Sequence, residues 1–155
     1  MNALKIIVGG LFVLLIVVAI AAPIGPMPGF FIGGTPGTAP AVWPDTSATH
    51  EIKLRVPGTL PRVVIIWVID VGGDLHVVGS PDSGWVKQIG AGSRVNMRLG
   101  DATYSLFARP VTEDWLPILK AYVAKYQADY PDIVAGFPGV DEAEGQFAIF
   151  RLDRE

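Results

Sequence analysis

Cysteine is absent from this sequence. That excludes disulfides, thiolate zinc sites, iron–sulfur clusters, c-type haem attachment and a lipoprotein anchor. Histidine is scarce: His50 and His76 are the only two, so no histidine-rich metal site is expected. Charge is missing from the first third of the chain. Lys5 is the only charged side chain before Asp45, and the remainder carries 11 Lys/Arg against 15 Asp/Glu. A weakly acidic domain does not attract a nucleic-acid backbone, so nucleic acid is not an expected partner.

The uncharged third begins with an apolar run. Positions 6–22, IIVGGLFVLLIVVAIAA, are 17 residues without a charge or a proline. At ~1.5 Å per residue such a helix covers most of a ~30 Å hydrocarbon core, with Pro23, Ile24 and a snorkelling Lys5 extending the match. The reading is a single-pass transmembrane anchor over 1–24. Its rival is a cleaved signal peptide, since Ala19-Ile20-Ala21 fits the A-x-A pattern, but the leading segment holds a single lysine. With Lys5 before the run and no cation after it until Lys53, the positive-inside rule puts the N-terminus in the cytoplasm. The expected location is the inner membrane, with the domain on the periplasmic side and the lipid bilayer as a partner.

Positions 25–49 read as a Pro/Gly-rich linker with neither a helical nor a strand period, an extended and irregular tether. Its apolar residues, Met27, Phe30, Phe31, Ile32, Val42 and Trp43, suit either the lipid headgroup zone or a docking surface for a partner protein. The stretch Gly33-Gly34-Thr35-Pro36-Gly37-Thr38 is not a phosphate loop, because no Gly-Lys-Ser/Thr ends it and no strand precedes it.

Positions 50–155 read as one domain. Alternation of Ile52, Leu54 and Val56 with Glu51, Lys53 and Arg55 predicts a half-buried strand over 50–56. The β-branched run 62–70 predicts a central strand buried on both faces. Gly72-Gly73 turns it into a partner over 74–79. A loop follows, with one helical turn through 85–89, then a hairpin of strands 94–99 and 102–109. Trp115, Leu119, Tyr122 and Tyr126 recur at helical spacing, so a helix opens after Thr112. Positions 132–144 read as a loop and 145–152 as a last strand. The fold class is α+β: a transmembrane helix, then a small six-stranded antiparallel split β-barrel with one main helix.

The ordered segments carry a resemblance. Pro61-Arg62-Val63-Val64, Gly73-Asp74-Leu75-His76-Val77-Val78, Gly84-Trp85-Val86-Lys87-Gln88-Ile89, Val95-Asn96-Met97-Arg98, Gly100-Asp101-Ala102-Thr103-Tyr104, Ala108-Arg109-Pro110-Val111-Thr112 and Phe150-Arg151-Leu152 stand in the order and spacing of one family. The chain resembles the flavin- and deazaflavin-dependent nitroreductase-like proteins, within the split-barrel group that includes pyridoxamine-phosphate oxidases. The resemblance spans roughly 51–152. It implies a six-stranded barrel, often dimeric, with FMN or a deazaflavin in a groove beside it and hydride transfer to nitro compounds or quinones. It also implies basic and small residues for the cofactor phosphate, yet 56–60 holds no basic residue and Asp82 stands in the loop 80–83.

On that basis the candidate cofactor residues are Arg62, Ser80, Ser83, Trp85 and Lys87. Arg62 and Lys87 could neutralise a phosphate, Ser80 and Ser83 could hydrogen-bond it, and Trp85 could wall the ring. Each also has a structural reading: a strand end, a solvated charge, core filling. No catalytic residue and no metal ligand is singled out. Two functions follow. The first is a membrane-anchored accessory or docking subunit of a membrane complex, with a weakened or lost flavin site. The second is a membrane-tethered flavin- or deazaflavin-dependent oxidoreductase. Partners are other membrane subunits or a second copy.

Overall fold

The computed structural model describes residues 2–21, 29–59, 62–139 and 142–155. The start of the linker with Met27, the turn residues Leu60 and Pro61, and positions 140 and 141 of the late loop lie outside them. Helix α1 runs Asn2–Ala21. The strands are β1 (Thr35–Gly37), β2 (Glu51–Val56), β3 (Arg62–Val71), β4 (Asp74–Gly79), β5 (Ser93–Leu99), β6 (Ala102–Pro110) and β7 (Ala148–Arg154), and the later helices are α2 (Gly84–Ile89), α3 (Trp115–Gln127) and α4 (Pro131–Val134).

The transmembrane expectation is corrected. Among the described residues no helix is long and apolar enough to cross a membrane. The single-pass anchor, the inner-membrane location with a periplasmic domain, the lipid bilayer as partner and the membrane-anchored accessory subunit all rested on that span. All of them fall with it, as does the membrane tether of the oxidoreductase alternative.

The six-stranded antiparallel barrel is present. Strands run in the order β6-β5-β2-β3-β4-β7, and β7 pairs again with β6 to close the ring. Closure removes the free sheet edges that otherwise invite pairing with other chains. Strand β3 is long because it serves two partners. Its first six residues pair with β2, from Val56↔Arg62 to Glu51↔Trp67, and its last four with β4, from Val68↔Val77 to Val71↔Asp74. Strand β6 is shared likewise, with β5 along one edge and β7 and β1 along the other.

The period-2 alternation decides what lies inside. Ile52, Leu54 and Val56 of β2, Val68 of β3, Leu75 and Val77 of β4, Val95 and Met97 of β5, Leu106 and Ala108 of β6, and Phe150 and Leu152 of β7 form one buried cluster. Strands β3, β4 and β7 are apolar on their other face as well. There Ile69, Val78 and Ile149 meet Ile118, Leu119, Tyr122 and Tyr126 of α3 in a second cluster. Strands covered on both faces read as continuous apolar runs, as 62–70 does.

Positions 29–49, read as a tether, lie on the barrel. Gly29 exchanges both backbone hydrogen bonds with Val63 (2.9 and 2.7 Å), on the β3 edge that β4 does not reach. The Thr103 hydroxyl donates to the Gly33 carbonyl at 2.6 Å, and β1 joins β6 in parallel. Gly34 has φ +84°, and a Cβ there would stand 2.5 Å from the Thr103 hydroxyl. Glycine alone tolerates both. Trp43 is buried in the barrel cluster, with Tyr104 at its edge (5.2 Å) and the Arg154 guanidinium over its face (5.1 Å).

Candidate functional site

The loop 80–83 carries the chain from β4 into α2. The Ser80 carbonyl accepts from the Ser83 amide (3.0 Å) and from the Ser83 hydroxyl (2.7 Å). The Asp82 amide donates to the Ser80 hydroxyl oxygen at 3.3 Å. Ser83 stands at the N-cap of α2, and its hydroxyl makes no capping bond because it turns back to Ser80. The Ser80 proton therefore remains available to a ligand, while the Ser83 proton is already committed.

Arg62, the first residue of β3, reaches this loop. A Cβ on Gly84 would lie 2.3 Å from Arg62 Nη1, so the guanidinium rests directly on the glycine that opens α2. Arg62 is half-buried and has no ion pair among the described residues. Lys87 is placed differently. Its ammonium pairs with Asp82 at 3.2 Å, with both side chains exposed. Exposed pairs contribute little to stability, but Asp82 does offset the positive charge of Lys87 locally. Trp85 points inward. It is 8% exposed, packs near Phe150 (5.9 Å between centroids), and its ring lies where a Cβ on Gly79 would be, 2.2 Å from Cζ2. The fold thus gathers Arg62, Gly84, Ser83 and Ser80 at one loop, leaves Lys87 held by Asp82, and uses Trp85 inside the barrel.

Sequence reasoning passed over three other polar arrangements. On the barrel wall, Arg109 and Arg151 stand directly opposite each other on β6 and β7. Like charges in that register repel, and Asp153 takes a hydrogen bond from each. Burial pulls the Asp153 carboxyl upward, but the two guanidinium groups outweigh it and hold the carboxyl below its ordinary value. With Asp74, Phe107, Arg154 and Glu155 these residues line an open groove of about 580 Å³. Beside it His76 is buried on β4, and Nδ1 carries the proton because its partner at 3.0 Å is the Asp74 carbonyl.

Under α3, Lys125 Nζ donates to the carbonyls of Thr46, Thr49 and Val68 at 2.8–2.9 Å. Burial lowers its pKa, against the opposing pull of Asp45 and Asp70. All three protons are spent on backbone, so Lys125 ties the 46–49 segment and β3 to α3. Nearby, His50 Nε2 meets Asp129 at 3.1 Å, and its ring packs edge-on against Tyr126 and Tyr130. The Arg109–Asp153, Lys125 and His50 contacts join residues 44 to 80 positions apart, and no local spacing signals them. Among the described residues no cluster of three or more metal-ligating side chains occurs.

No family model and no curated protein sequence matches the chain. Solved structures do. The heme storage protein HutZ of Vibrio cholerae is similar over 70% of this chain and 84% of its own, with 15% identity and a TM-score of 0.51. A NimC/NimA family protein of Clostridium acetobutylicum aligns over 66% of this chain and 73% of its own, at 18% identity and a TM-score of 0.45. A pyridoxamine 5'-phosphate oxidase-related, FMN-binding protein of Nostoc punctiforme aligns over 70% and 72%, at 10% identity and a TM-score of 0.41. At these identities the likeness is one of fold, and it does not single out a nitroreductase-like branch.

Proposed function

We propose that this split-barrel domain binds a phosphorylated flavin-class cofactor, FMN or a deazaflavin, at the loop where Arg62 meets α2. The observation that carries the reading is the half-buried Arg62 guanidinium, unpaired among the described residues and lying on Gly84. A guanidinium offers two parallel donors to a phosphate, and the Ser80 hydroxyl adds a third. The chemistry that such a cofactor supplies when bound is hydride or electron transfer. The chain's own contribution would be to seat the phosphate and exclude water beside the barrel. Lys87 and Ser83 belong to the proposal as secondary contacts, since one is paired with Asp82 and the other has committed its proton. Trp85 would support the loop from inside the barrel. A second copy of the chain, as the resemblance implies, completes the reading.

The test is a fluorescence titration of the full chain with FMN and with a deazaflavin, with haemin as a competing ligand. Saturable flavin binding is expected. Arg62→Ala should weaken it about tenfold or more, as for loss of a charge-assisted contact worth ~1.5–3 kcal/mol, while Lys87→Ala should change it little. Absence of flavin binding by the folded chain, or equal binding by Arg62→Ala, would overturn the reading.

A further inference from the structure

A second cavity lies on the other side of Ser80, between the end of β4, α3 and the segment that leads into β7. Its volume is about 350 Å³, and Val78, Gly79, Ser80, Tyr122, Phe137, Pro138, Gln146 and Phe147 line it. That is the small end of the range for ligand sites, enough for one fused ring system. Its walls are aromatic. Tyr122 and Phe137 stack at 6.4 Å and 22°, and Phe137 meets Phe147 edge to face at 5.7 Å. No charged side chain lines it, so an ionic ligand would enter without a partner.

One polar group is exceptional. Tyr122 is 5% exposed, and its hydroxyl has no hydrogen-bond partner among the described residues. The next tyrosine on the same helix, Tyr126, has its hydroxyl bonded to Val68 and His50. Buried phenols ordinarily find partners. The wholly enclosed orphan atoms among the described residues are Trp43 Nε1 and Ser93 Oγ. The Tyr122 hydroxyl is not one of them, and Tyr122 borders the cavity. Burial pushes this phenol far above its ordinary pKa, with Tyr126 adding to the effect. It therefore remains a hydrogen-bond donor at physiological pH.

We propose that this cavity is a binding site for a neutral aromatic carbonyl compound. The ring lies in the cavity against Tyr122, Phe137 and Phe147, and its carbonyl oxygen accepts from the Tyr122 hydroxyl. Ser80 and Gln146, both exposed, form the mouth. The site shares only Ser80 with the proposed flavin site and stands whether or not a flavin binds.

The test uses 2-acetonaphthone and its hydrocarbon counterpart 2-ethylnaphthalene in equilibrium dialysis with the full chain. Saturable one-to-one binding of the ketone is expected. Tyr122→Phe, which keeps the ring, should weaken the ketone about five- to tenfold, as for loss of one hydrogen bond, and leave the hydrocarbon within about twofold. Phe147→Trp should fill the cavity and abolish binding of both, with circular dichroism verifying that the barrel remains folded. Arg62→Ala should leave the ketone unaffected. Lack of saturable ketone binding, equal effects of Tyr122→Phe on ketone and hydrocarbon, or loss of ketone binding in Arg62→Ala would each overturn the proposal. The last outcome would assign the cavity to the flavin site instead.

Discussion

His76 shows how one residue acquires its properties from its place in the fold. In the sequence it is a histidine in the middle of a strand. In the barrel it is buried, and desolvation lowers its pKa below the ordinary 6.5, only partly offset by the Asp74 carbonyl. The unfolded chain therefore binds a proton in a window where the folded chain does not. Below about pH 6.5 stability should fall as pH drops toward the folded pKa, and above it this contribution is fully present. Urea midpoints at about pH 7.5 and pH 5.5 measure the difference, and His76→Phe should shrink it. An unchanged difference in the variant would place the acid sensitivity elsewhere. Trp85 illustrates the same point for the candidate site. Its sequence neighbours suit a ligand wall as well as a core, and only the close approach of Gly79 assigns it to the core.

Strands and the main helix were largely legible. Alternation in 50–56, the β-branched run 62–70 and the Gly72-Gly73 turn each read out one element, because burial on one or both faces writes its period into the chain. The strand Thr35–Gly37 was not legible. Its three residues are exposed and carry no pattern, and backbone pairing with β6 alone makes it a strand. The helix-to-strand joint was equally hidden. The Tyr126 hydroxyl accepts from the Val68 amide at 2.9 Å and lies 2.7 Å from the His50 and Val68 carbonyls, at the point on β3 just past its pairing with the start of β2. Removing it leaves the Val68 amide with only the His50 carbonyl at 3.4 Å. Tyr126→Phe should cost ~1–3 kcal/mol in chemical denaturation. Tyr122→Phe, which deprives no described protein group of a partner, should cost less. Equal costs would show that the two hydroxyls are equivalent and the joint is unimportant.

The whole molecule depends on closure of the ring by β6 and β7. Leu152 lies on β7 opposite Ala108 and is fully buried in the barrel cluster. Leu152→Ala should destabilise the barrel by ~2–5 kcal/mol through lost burial and the cavity left behind. Because one cluster spans six strands, tryptophan fluorescence and far-ultraviolet circular dichroism should report the same lowered midpoint. Separate transitions would mean that the barrel does not unfold as a unit.

By itself the sequence determined most of the strands, the main helix and the antiparallel barrel class. Those follow from local propensity and from the period that a buried face imposes. The fate of the apolar first third was decided only in three dimensions. No helix among the described residues has the length and apolarity to span a membrane, and the Pro/Gly-rich stretch that looked like a tether is wrapped on the barrel by Gly29, Thr35 and Trp43. The sites were also decided there. Arg62 and Gly84, or Ser80, Tyr122 and Phe147, become neighbours only when β3, β4, α2 and α3 pack, and contacts over such separations leave no period for a single sequence to display.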